Sequence, residues 1–107
     1  MNLINQHKSK LTSLCKKYKV SELYVFGSVL TELFNKQSDI DFLVKFEDVE
    51  LYNYFDNYMD FKEALENLFK RKIDLLEIQT LKNPILKRSI DRNKMKVYGR
   101  ADSKMAV

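Results

Sequence analysis

A single cysteine, a single proline, a single histidine, two glycines and no tryptophan occur among the 107 residues. One thiol, Cys15, cannot close an internal bridge, which excludes a disulfide scaffold and leads us to expect a reducing, cytoplasmic setting. So few glycines and prolines exclude a collagen-like or linker-like chain. No run of 18 apolar residues is present, so no membrane-spanning helix is expected. The opening stretch MNLINQHKSKL has no continuous apolar segment, and no secretory signal is expected from it.

What is present is apolar bulk and unevenly placed charge. Hydrophobic residues make up 45% of the chain, including seven Phe and six Tyr, which is enough volume for a core. One domain over 1–107 is expected, with a core of about 3–98 and a frayed tail at 100–107. The net charge is +4, which taken alone hints at an anionic partner. Residues 1–38 carry six basic and two acidic groups, residues 39–77 five basic and eleven acidic, and residues 78–107 eight basic and two acidic. The total therefore conceals an acidic centre between two basic flanks.

The periodicity predicts a helix over 3–19, with Leu3, Ile4, Leu11, Leu14, Cys15 and Tyr18 on its apolar stripe. LYVF at 23–26 reads as a buried strand ended by Gly27. A short helix over 28–34 would start at Ser28 as its N-cap, followed by a polar turn at 35–38. DIDFLVKF at 39–46 is the second predicted strand. A helix is expected from Leu51 to Phe69, with Phe61, Leu65, Leu68 and Phe69 on one stripe, then a strand at 72–78. Another helix runs from about Pro84 to Arg92, and 95–98 is a last strand or a helix extension. The alternation predicts an α/β (α+β) domain in which helices flank a small mixed sheet. Strands one and two are expected to be antiparallel, and strand three parallel to its neighbour.

Three features at strand ends can carry chemistry. At Gly27-Ser28 the backbone can approach a ligand closely, and a helix start offers N–H donors to an anion; an ordinary turn is the competing reading. Asp39 and Asp41 alternate along a strand and so share a face. Roughly 7 Å apart, two carboxylates repel each other unless a cation such as Mg²⁺ intervenes, or unless both are solvated surface acids. Asp74 interrupts the apolar run KIDLL, a costly place for a carboxylate unless it is metal-bound or paired with Arg71 or Lys72. Three carboxylates on neighbouring strands suit a two-ion site for phosphoryl or nucleotidyl transfer.

The pattern Gly27-Ser28, ten residues, Asp39-Ile40-Asp41, preceded by Val25-Phe26 and followed by Asp74 in KIDLL, resembles the minimal nucleotidyltransferases (MNT) of the DNA polymerase β-like superfamily. The resemblance covers roughly 3–98. It implies a polymerase β-like palm in which Gly27 and Ser28 hold a nucleotide triphosphate. It further implies that Asp39, Asp41 and Asp74 bind two Mg²⁺ ions, with Asp74 also helping to activate the acceptor hydroxyl. Small members of the family act as antitoxins that transfer AMP from ATP to a HEPN-type ribonuclease toxin and silence it. The alternative within this resemblance is a catalytically weak or inactive antitoxin that neutralises its partner by contact. Many relatives carry a small residue, Arg and Gly after the GS-x element; here these are Leu30, Thr31 and Glu32, so a cation that could touch phosphate is missing at Thr31.

The remaining candidates read as structural. His7 fits a surface or half-buried helix position, and Cys15 a small core position. The aromatic run Tyr52, Tyr54, Phe55, Tyr58 and Phe61 divides between core and interface, with Tyr52 and Tyr54 as candidates to cap the sheet. Lys70-Arg71-Lys72 reads as a solvated helix end. Lys87, Arg88, Arg92, Lys94 and Lys96 match no nucleic-acid module, so nucleic acid is not expected as the main partner, nor a membrane. A partner protein, or a homo- or hetero-oligomer, is expected to present the acceptor.

Overall fold

Alternating burial along residues 40–46 shows how the domain is layered. Ile40, Phe42, Val44 and Phe46 are buried in the main core, while Asp41, Leu43 and Lys45 take the other face of the same strand. A computed structural model describes residues 2–27, 38–78 and 83–99. The predicted helix at 28–34, the following turn up to Gln37, and the tail at 100–107 lie outside the described residues, as do Ser28, Leu30, Thr31 and Glu32.

The elements are α1 (Asn2–Gln6), α2 (Lys8–Lys17), β1 (Val20–Phe26), β2 (Ile40–Phe46), α3 (Leu51–Phe69), β3 (Ile73–Glu77), α4 (Pro84–Asn93) and β4 (Met95–Gly99). The strands form one sheet in the order β3-β2-β1-β4. β1 is antiparallel to β2 and to β4, and β2 is parallel to β3. This is the expected mixed α/β architecture. The parallel pair follows from the α3 crossover, which returns the chain to the end of the sheet where it began.

The single helix predicted over 3–19 is two helices. The break falls at His7, which keeps a hydrogen bond from its N–H to the Ile4 carbonyl while its own carbonyl caps Leu11. The His7 ring sits edge-on to Phe69 at 5.2 Å, a packing role for the lone imidazole. The first strand begins at Val20 rather than 23. The segment 95–98 is resolved in favour of a strand, because Glu22 to Val25 offer it a free edge.

The core joins Ile4, Leu11 and Cys15 from the N-terminal helices to Phe61, Leu65 and Phe69 from α3, over the inward side chains of β1, β2 and β3. Each of these large side chains contributes roughly 1.5–3 kcal/mol by leaving water. Cys15 is fully buried, and burial pushes its thiol up to about 12. It is a small core residue, as expected, and not a nucleophile. α3 ends at Lys70, whose left-handed conformation (φ 55°) turns the chain into β3.

Candidate active site

The sheet face opposite the main core brings two of the predicted acids together, Asp41 on β2 and Asp74 on β3. In the β1–β2–β3 register, Phe26 lies opposite Asp41, and Asp41 lies opposite Asp74. Because β2 and β3 are parallel and unshifted here, both carboxylates leave the same face side by side. Asp39 precedes β2 by one residue and is exposed, so it is not on the strand as the sequence suggested. Its charge still reaches Asp41. Burial raises the Asp41 carboxyl above its ordinary value of 3.8, and the negative charges of Asp74 and then Asp39 raise it further.

The expectation for Asp74 needs a correction. It is exposed rather than buried, since β3 is an edge strand and Asp74 faces away from Ile73 and Leu75. The desolvation argument for a metal at this residue therefore fails, and what remains is its register with Asp41. Among the described residues, none of the three acids makes an ion pair, whereas Lys45 pairs with Glu22 at 4.0 Å. The proposed pairing of Asp74 with Arg71 or Lys72 does not form.

Gly27 closes the other side of the site. Its φ of +78° is a left-handed conformation, and a Cβ there would run into Oδ2 of Asp41. The glycine is thus needed twice, for the turn out of β1 and for the space that Asp41 fills.

Arg71 was missed by sequence reasoning. Far from a merely solvated helix end, it is half-buried and donates from Nη1 to the Ser38 carbonyl at 2.9 Å. The Ile40 N–H bonds the Lys72 carbonyl at 3.2 Å. Together these two bonds hold the segment carrying Asp39 against the start of β3. A cation two residues before a strand offers no sequence signal for that role. Tyr58, read from the sequence only as part of an aromatic run dividing between core and interface, has a specific place here. Its hydroxyl donates to the Leu75 carbonyl, and burial together with the Asp74 charge raises its phenol above the ordinary range.

Whether the acids suit a hard divalent cation can be judged from the donor set. All three groups supply carboxylate oxygens, and Asp41 carries a like-charge load that a dication would relieve. Among the described residues, however, no three His, Cys, Asp or Glu side chains converge as a ready-made cage. The fit is one of chemistry and proximity.

Comparisons with known proteins show the family of the chain. The sequence profile of the nucleotidyltransferase domain family matches residues 7–97, so the chain belongs to that family and is an enzyme of the nucleotidyltransferase class. A Methanocaldococcus jannaschii relative, provisionally named a protein adenylyltransferase, is 33% identical over 91 residues, covering 85% of this chain and 87% of the relative. The protein adenylyltransferase MntA of Thermococcus cleftensis is 31% identical over 86 residues, covering 80% of this chain and 81% of its own. Among solved structures, one provisionally described as a minimal nucleotidyltransferase is similar with a TM-score of 0.71 at 27% identity, covering 86% of this chain and 90% of that one. A chain of the complex between tri-AMPylated HEPN toxin and MNT antitoxin from Shewanella oneidensis has the same fold, with a TM-score of 0.58 at 18% identity, covering 94% of this chain and 77% of that one.

No helix among the described residues is long and apolar enough to cross a membrane.

Proposed function

We propose that this protein is an antitoxin-type adenylyltransferase that moves AMP from ATP to a hydroxyl of a HEPN-type partner protein. The observation that carries the reading is the in-register pair Asp41–Asp74, with Asp39 close by and Gly27 making room for Asp41. The names of the relatives support the protein-directed activity, and the Shewanella complex supports the kind of partner.

In this reading, Asp39, Asp41 and Asp74 would hold Mg²⁺ through carboxylate oxygens, which would supply charge neutralisation for the triphosphate and a lowered pKa for the acceptor hydroxyl. The chain's own residues do the positioning. With its side-chain space taken by Asp41, Gly27 would offer the triphosphate its backbone N–H, and Ser28 would add a hydroxyl donor. Arg71 fixes the backbone at Ser38 and so the placement of Asp39. Asp74, exposed on the edge strand, is accessible to an incoming acceptor. The acceptor oxygen attacks the α-phosphorus, its proton passes to a carboxylate or water, and the bond to pyrophosphate breaks.

A second reading is neutralisation by contact alone. It is favoured by the absence of an Arg at Thr31 and by the exposed apolar face of α3. Expression of Asp39→Asn beside the toxic partner separates the two. Transfer predicts that cells lose protection while the two proteins still co-purify. Full protection by Asp39→Asn would favour contact.

A further inference from the structure

Four large apolar side chains on the first half of α3 are exposed. Leu51 is 91% exposed, Tyr52 92%, Phe55 69% and Met59 40%. At about 100° per residue, Leu51, Phe55 and Met59 follow one line along the helix, and Tyr52 shares the azimuth of Met59 about two turns away. The same line continues into the groove between α3 and the edge strand β3, of about 320 Å³, lined by Tyr54, Phe55, Tyr58, Leu75, Leu76 and Glu77. Single exposed apolar residues are ordinary, but a contiguous set that runs into a groove marks a contact surface.

Charge defines what fits there. Asp56, Asp60 and Glu63 are exposed along the flank of the apolar line away from the core, and Glu47, Asp48 and Glu50 are exposed just before the helix. Glu77 closes the groove, and burial raises its carboxyl above the ordinary range. The patch is thus apolar at its centre and acidic at its rim, complementary to an aliphatic or aromatic anchor flanked by Lys and Arg.

Position defines what it is for. Tyr58 lines the groove, bonds the Leu75 carbonyl and feels the charge of Asp74. A body seated in the groove therefore lies along β3 one residue from Asp74, whose side chain leaves the other face of this edge strand. We propose that the first half of α3 and its groove form the docking surface for the acceptor protein, a basic-rimmed partner with an apolar anchor that places its hydroxyl at Asp74. This rests on the transferase reading above. The patch selects the partner, and the sheet face performs the transfer.

The test uses the full chain and a purified HEPN-type partner, with affinity measured by calorimetry. The variants are Leu51→Ser/Phe55→Ser, Asp56→Lys/Asp60→Lys, and Lys10→Glu/Lys17→Glu on α2 as a control. All changed residues are exposed, and a common melting temperature checks folding. The apolar variant should bind at least about tenfold more weakly, as centrally buried anchors do. The charge variant should also bind more weakly, with a reduced salt dependence, and the control should bind as the wild type does. Wild-type affinity in the apolar variant would overturn the proposal, as would a wild-type chain that binds no such partner. A dimer of this chain that the apolar variant dissolves would assign the surface to a second copy and overturn it too. Loss of binding in the apolar variant, with no AMP transfer by the wild type, would uphold the surface and reject the transferase reading.

Discussion

Oδ2 of Asp41 occupies the space where a side chain at Gly27 would begin. Backbone conformation and carboxylate placement are therefore one constraint. Gly27→Ala must bear a φ of +78° and displace Asp41. We expect a loss of about 1–3 kcal/mol in urea unfolding and a fall in transfer rate larger than that loss of stability explains. Wild-type rate in a folded Gly27→Ala variant would separate Asp41 from the chemistry.

Asp41→Asn should have opposite effects on stability and activity. The Asp41 carboxyl is raised by burial and by two like charges, so the folded state holds that proton more tightly than the unfolded chain. Stability from this group is fully present below the ordinary value of 3.8 and is lost as pH rises through the raised value. The variant should thus be more stable than the wild type at neutral pH, and the difference should vanish on acidification below that ordinary value. Urea midpoints across the range check this, and a variant less stable at pH 7 contradicts it.

Tyr54 stacks edge-on against Phe46 at 5.6 Å, yet its hydroxyl is enclosed without a hydrogen-bond partner among the described residues. Removing an unsatisfied buried hydroxyl is neutral or stabilising by about 1 kcal/mol. Tyr54→Phe should melt at the same or a higher temperature, and a clear fall would mean that the hydroxyl is satisfied in solution.

Lys70 closes α3 in a left-handed conformation at φ 55°. Glycine bears no Cβ penalty there, so Lys70→Gly should stabilise the domain by about 0.5–1 kcal/mol. Thermal unfolding reads this directly, and destabilisation would show that the Lys side chain makes up for the backbone strain.

Much of this site could be read from residue order. Alternation along Ile40-Asp41-Phe42 put Asp41 on the face away from the core, and the apolar run around Asp74 marked a neighbouring strand. The second half of α3 follows from Phe61, Leu65 and Phe69 at helical spacing, whereas the aromatic stretch LYNYFDNYMD left the start of the helix open. The rest depends on contacts that no local pattern encodes. His7 breaks the first helix where its ring meets Phe69, 62 positions away. Arg71 looks like a solvated cation until Ser38 is beside it. Asp74 seemed buried because its neighbours are apolar, but the sheet order places it on an edge. Tyr52 and Phe55 were ambiguous for the same reason: aromatic residues on a helix do not say which of them the fold covers, and Tyr52 turns out to cap nothing.

The central claim is that Asp39, Asp41 and Asp74 act together to transfer AMP to a protein hydroxyl. Intact-mass spectrometry of a purified HEPN-type partner, after incubation with this chain, ATP and Mg²⁺, tests it most directly. The account predicts mass increments of whole AMP units on the partner, lost with EDTA and lost in Asp41→Asn while complex formation persists. An unmodified partner in the wild-type reaction, or an Asp41→Asn reaction that still adds AMP, would contradict it.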